Sequence, residues 1–219
     1  MTFSKAPDYS VGYLQRQAAD LLRRHYGRAV PIPVDPDLLV EREPGITLDY
    51  LLGLQQTYGL AGAVVRYRGT RRLFILIDAK VADRDPNFYR FTVAEELGHV
   101  PLHRDVIDKV QTLKEAAALQ AWQGYRLMDR NAKRFAAAVL MPPAEVLRDA
   151  REMYPQLVSV AGFKATDAVQ SYLVDRLARK YRVSSQAMRI RLGEWPIRVM
   201  DKVAAAMRER LNFLPGDDR

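Results

Sequence analysis

Phe91-Thr92-Val93-Ala94-Glu95-Glu96-Leu97-Gly98-His99-Val100-Pro101-Leu102-His103 is the stretch on which the reading of this chain turns. As an α-helix it sets Glu95 and His99 four residues apart, one turn above the other on a single face. Glu96 lies between them in sequence, turned about a quarter of the circumference away from Glu95. Two helix starts compete. Thr92 with Glu95 three residues on makes a capping box, which would commit Glu95 to the helix end. Asp85-Pro86 offers an earlier start, which would leave Glu95 inside the helix.

Upstream the period changes. Residues 61–67 and 72–78 are rich in Val, Ile, Leu and aromatics, and Arg68-Gly69-Thr70-Arg71 supplies a turn between them, which is a β-hairpin. Leu73-Phe74-Ile75-Leu76-Ile77 is continuously apolar and reads as a strand covered on both faces. A smaller strand is placed near Ile46 to Leu48. Before it, Tyr9 to Tyr26 reads as a helix, with Leu14, Ala18, Leu21 and Leu22 at helical spacing and Gly27 at its C-terminal cap. His25, in its last turn, reads as a helix-terminal cation. Pro31 to Pro36 is an extended connector, from which Asp35 caps a short helix.

Downstream, Lys114 to Trp122 is helical, and Met128 to Pro143 reads as an Ala-rich buried helix stopped by Pro142-Pro143. Helices over Pro143 to Tyr154, Thr166 to Tyr181, Gln186 to Leu192 (capped by Ser184) and Ile197 to Phe213 complete the chain. A small sheet followed by helices is an α+β arrangement. The expected organisation is one domain over residues 9–195, with a C-terminal helix and frayed tail over 196–219. There is no internal repeat and no low-complexity tract.

The 219 residues, 48% hydrophobic and 27% charged, have the composition of an ordinary globular domain. No window approaches the roughly 18 uninterrupted apolar residues of a membrane span. The N-terminus lacks a signal-peptide pattern, so a cytoplasmic location is expected. Without cysteine there is no disulfide, thiolate ligand or thiol nucleophile. A bound metal would rest on His, Asp or Glu, and with only His25, His99 and His103 a three-His site is nearly excluded. The net charge of +8 favours anionic partners, nucleic acid among them. Arg176, Arg179, Lys180, Arg182, Arg189 and Arg191 have no acidic residue among them and are the candidate nucleic-acid or partner contacts. They lie on a helix-turn-helix outline over 166–192, for which two ordinary core helices are the competing reading.

Arg90-Phe91-Thr92-Val93-Ala94-Glu95-Glu96-Leu97-Gly98-His99, with Leu102-His103 behind it, resembles the R-F-T-L-A-H-E-L-G-H-x-x-L-H signature of ImmA/IrrE metallopeptidases. Arg134-Phe135-Ala136-Ala137-Ala138-Val139-Leu140-Met141-Pro142 resembles that family's second signature, F-A-A-x-L-L-M-P. Residues 183–192 are similar to its V-S-x-x-A-x-x-x-R-L stretch, and the resemblance covers about residues 9–195. It implies a mostly helical, zincin-like domain with a small antiparallel sheet before the metal-binding helix. The implied function is a metal-dependent endopeptidase that cleaves a repressor-type protein, often one with its own helix-turn-helix. The setting would be a mobile-element, stress-response or toxin–antitoxin system. By resemblance Glu96 is the general base, and Glu95, His99 and Asp129 hold a divalent metal, zinc or alternatively manganese.

The chain departs from the pattern twice. Glu95 stands where the H-E-x-x-H motif has its first His, and Asp129 stands where the family has Glu, six residues before Phe135. Two carboxylates would neutralise a divalent ion, weaken its polarisation of a carbonyl or water, and favour harder metals than zinc. His103 is a candidate oxyanion or ligand-orienting group, although Pro101 is expected to end or bend the helix before it. The alternative function is a catalytically impaired relative that acts as a protein- or DNA-binding regulator, or as a toxin component.

Overall fold

The computed structural model describes residues 6–159 and 165–216, in two compact units that divide in sequence between Leu140 and Met141. In the first unit, Ser10 opens α1 (Val11–Tyr26) by accepting the Tyr13 amide at 3.2 Å, and Gly27 closes it at φ 66°. Asp35 caps α2 (Pro36–Arg42), where Pro36 lacks only an N–H that the first turn would leave unpaired. Next come β1 (Ile46–Leu51), α3 (Leu54–Tyr58), β2 (Gly62–Val65) and β3 (Leu73–Asp78).

The three strands form a sheet in the order β1-β3-β2. β2 and β3 are the expected hairpin, antiparallel, with Gly62 opposite Ile77 and Val65 opposite Phe74. β1 pairs with β3 in parallel, Ile46 opposite Leu73, so the sheet is mixed rather than wholly antiparallel. The chain leaves β1, passes through α3 and β2, and returns in the direction it started, which only a crossover permits. β3 is central and buried on both faces. Leu73, Ile75 and Ile77 join Leu14, Leu21, Leu97 and Phe135 in one core, while Leu76 faces the other way with Leu54, Ala63, Val65 and Met128.

Asp78, at the end of β3, ties two elements: it accepts the Lys80 amide that starts α4 (Ala79–Arg84) at 2.8 Å and the Gln55 amide at 2.7 Å. α5 (Pro86–Leu102) follows, then α6 (Arg104–Ile107), α7 (Leu113–Leu119) and α8 (Tyr125–Leu140). α5 takes the earlier of its two starts: Asp85 accepts the Asn87 and Phe88 amides at 3.0 Å each. Thr92 lies inside the helix, its hydroxyl donating to the Phe88 carbonyl at 2.9 Å, so Glu95 is interior too. α5 runs one residue past Pro101 and ends at Leu102, so that His103 is its C-cap. A proline this near the C-terminus forfeits one backbone bond, and the His103 amide still donates to the His99 carbonyl at 3.0 Å. α5 is buried nearly all round, the mark of a helix enclosed by its domain.

The second unit holds α9 (Pro143–Val158), α10 (Thr166–Tyr181), α11 (Ser185–Gly193) and α12 (Val199–Glu209). Its core includes Val169, Leu173, Leu177, Met188, Leu192 and Val203. The buried Asp149 carboxylate accepts from the Tyr181 hydroxyl at 2.8 Å and pairs with Lys180 at 2.8 Å. Among the described residues no helix is long and apolar enough to cross a membrane.

Candidate functional site

Three elements of the first unit build the site. α5 contributes Glu95, Glu96, His99 and, at its C-cap, His103; α8 contributes Asp129 and Lys133; β2 lies over Glu96. The close approach of β2 requires glycine at position 62. A Cβ there would stand 2.8 Å from both Cγ and Oε1 of Glu96 and from Cγ2 of Thr92. Gly98 serves the same end on the opposite flank, where a Cβ would stand 2.7 Å from the Phe135 ring. α5 therefore meets α8 at close range, which brings Glu95 beside Asp129.

A lysine stands beside those carboxylates. Lys133 Nζ lies 2.8 Å from Asp129 Oδ2, one helical turn away on α8, and 3.9 Å from Glu95 Oε1. Burial pushes the Glu95 carboxyl up, Lys133 pulls it back, and the Asp129 carboxylate beside it adds to the rise. Glu96 is raised well above the usual carboxylate range by burial first, then by Glu95 and Asp129, with Lys133 opposing. Burial draws the Lys133 ammonium down, but its hydrogen bond to Asp129 and the charges of Glu95, Asp129 and Glu96 outweigh that, and the net direction is up.

The two histidines pair with each other. His99 Nδ1 and His103 Nδ1 are 3.0 Å apart, so one ring must donate and the other accept. Burial, assisted by Lys133, lowers His99 to about 4, and burial with His99 lowers His103 to about 3, which makes both imidazoles neutral at physiological pH. His103 Nε2 is buried without a hydrogen-bond partner among the described residues. Glu96 and His99 face a cavity of about 40 Å³, roofed by Gly62 of β2 and walled by Leu119 of α7, Tyr125 and Met128 of α8. That volume admits a water molecule or two; a ligand pocket of ordinary size holds about 300–1,000 Å³.

As arranged, this donor set does not fit a divalent ion. Asp129 and Glu95 share Lys133, and His99 presents one ring nitrogen to His103. Among the described residues no three His, Asp or Glu side chains gather to hold a metal. Of the residues read from sequence, Glu95, Glu96, His99, His103 and Asp129 thus belong to one neighbourhood. Lys133 and Gly62 were missed. Lys133 carried a signal, its position four residues after Asp129 on a helix; Gly62 carried none without the sheet.

The basic candidates of the second unit separate into two kinds. Arg176, Arg179, Arg182 and Arg189 are exposed. Arg191 is corrected as a surface contact: it is 2% exposed, its Nε donating to the Met141 carbonyl at 3.0 Å. Lys180 is committed to the buried Asp149. α10 ends in a left-handed residue, Arg182 at φ 53°, with the Val183 amide closing back on the Ala178 carbonyl at 3.1 Å. Val183 is buried and Ser184 caps α11, so the two helices are joined by three residues, 182–184.

Residues 57–193 match the family model described as "IrrE N-terminal-like domain". No curated protein matches the chain. Among solved structures it is similar to a "Mycobacterium tuberculosis transcriptional regulator", at 18% identity and a TM-score of 0.50. That likeness covers 85% of this chain and 47% of the regulator, so the chain spans about half of that protein.

Proposed function

From the premise that this chain belongs to the IrrE N-terminal-like domain family, we propose that it acts in regulation by binding a repressor-type protein rather than by cutting one. The family is generally metal-dependent, and metallopeptidase chemistry is the starting expectation for any member. One observation carries the departure from it. The side chains that would do the chemistry, Glu96 and His99, face only a small depression of about 40 Å³ beside Gly62 and Tyr125. The neighbouring carboxylates are already held by Lys133. The test compares wild type with Glu96→Gln in the host cell, by cross-linking to partners and by mapping new protein termini, with zinc or manganese supplied. Equal capture of an intact partner by both forms is expected. A fragment pair that appears with wild type and disappears with Glu96→Gln would replace this reading by hydrolysis with Glu96 as base.

A second reading concerns DNA and is favoured by the α10–turn–α11 unit. Its three-residue turn, capped α11 and exposed Arg176, Arg179 and Arg189 have the outline of a helix-turn-helix. Binding to duplex DNA should weaken steeply with salt, and Arg189→Gln should reduce the log–log slope by about one. Arg191→Met should leave that slope unchanged, because the guanidinium is buried. A slope near zero in the wild type ends this reading.

A further inference from the structure

We infer that the Lys133 ammonium is the resident cation of this centre, a tethered substitute that occupies the charge position between Glu95 and Asp129. The inference rests on the binding, non-hydrolytic reading for its meaning, but stands on separate geometry. Nζ lies 2.8 Å from Asp129 Oδ2 and 3.9 Å from Glu95 Oε1, whereas the side chain as a whole is 52% exposed. The carboxylates are 24% and 16% exposed, so the ammonium pairs with acids more buried than its own side chain.

The ammonium lies within 3.9 Å of Glu95, on the helix that carries the E-E-x-x-H motif. A point charge on a flexible stem suits this duty, because it is compact and needs no fixed coordination geometry. It also cannot exchange with the solution as an ion does. Glu95 and Asp129 are drawn together across α5 and α8, where the ammonium pairs with Asp129 and lies within ion-pair reach of Glu95.

Removing the tethered charge should therefore expose a vacancy for a mobile one. Wild type, Lys133→Ala and Lys133→Arg would be titrated with zinc and manganese separately by calorimetry. Metal content after dialysis would be read by elemental analysis, and circular dichroism would confirm the fold of each. Wild type and Lys133→Arg are expected to retain no stoichiometric metal. Lys133→Ala should take up about one equivalent, lost again when Asp129→Asn is added. Metal in wild type that Asp129→Asn abolishes would overturn the inference, as would a folded Lys133→Ala that binds none. Uptake by Lys133→Arg equal to that of Lys133→Ala would also overturn it, since the charge would then be irrelevant. Cleavage of a partner by metal-free wild type would sink the non-hydrolytic reading and leave the assignment of Lys133 in place, so the two failures are distinguishable.

Discussion

Gly98→Ala tests whether the site depends on the close approach of α5 and α8. The substitution adds one methyl group to a helix interior, where alanine is normally favoured over glycine by about 1 kcal/mol. Here the added Cβ would lie 2.7 Å from Cδ1 and 3.3 Å from Cγ of Phe135. Carbon atoms in contact prefer about 3.5–4.0 Å, so close to an ångström of overlap must be absorbed. The ring cannot absorb it cheaply, since Phe135 is 1% exposed and packed in the core with Leu21, Leu97 and Val139. Overpacking of this kind costs about 1–3 kcal/mol, so the steric effect outweighs or cancels the propensity gain and the net loss is about 0–2 kcal/mol. Thermal denaturation should show a fall in Tm of a few degrees, on a scale of about 2–4 °C per kcal/mol. A double-mutant cycle with Phe135→Leu gives the cause: the smaller side chain should relieve the clash, with a coupling of about 0.5–3 kcal/mol. A Gly98→Ala variant that melts above wild type, or a cycle that is additive, would refute the close-approach argument.

Asp78→Ala should cost about 1–3 kcal/mol by thermal melt, because the Gln55 and Lys80 amides both lose their acceptor. Burial raises the Asp78 carboxyl, but the amides of Gln55, Lys80 and Val81 outweigh it, and the net direction is down from the ordinary 3.8. Its stabilising effect is therefore complete above that ordinary value and is lost as pH falls through the folded one. Asp78→Asn should accordingly flatten the acid limb of a stability–pH curve, and an unchanged limb would contradict the assignment. Tyr181→Phe removes a hydroxyl that donates to the buried Asp149 carboxylate at 2.8 Å. A loss of about 1.5–3 kcal/mol in the unfolding of the second unit is expected. No loss would mean that Lys180 and Arg148 satisfy that carboxylate without the hydroxyl.

Much of the framework was legible because its causes are local. The Asp85-Pro86 start of α5 and the Ser184 start of α11 are set by side chains within three residues of the amides they cap. The continuous apolar run of β3 announced a strand buried on both sides, and the proline pair after Leu140 announced the end of α8. The motif helix also declared itself, with Glu95, Glu96 and His99 at helical spacing, and so did the position of Asp129 before Phe135.

By itself, then, the sequence determined where the helices and the hairpin lie, which family the chain resembles, and which side chains make the candidate centre. Only tertiary structure decided what those side chains do to one another. The parallel partnership of β1 with β3 depends on a crossover that no local pattern records. His99 reaches His103 because α5 continues past Pro101, and Arg191 is buried because the Met141 carbonyl, fifty residues away, accepts its guanidinium. Lys133 reads in sequence as one more charge on a helix surface. It reaches the centre because Gly98 lets α5 approach α8 until Glu95 and Asp129 both lie within 3.9 Å of its ammonium. Pairings of this kind depend on distances between segments remote in sequence, and packing sets those distances.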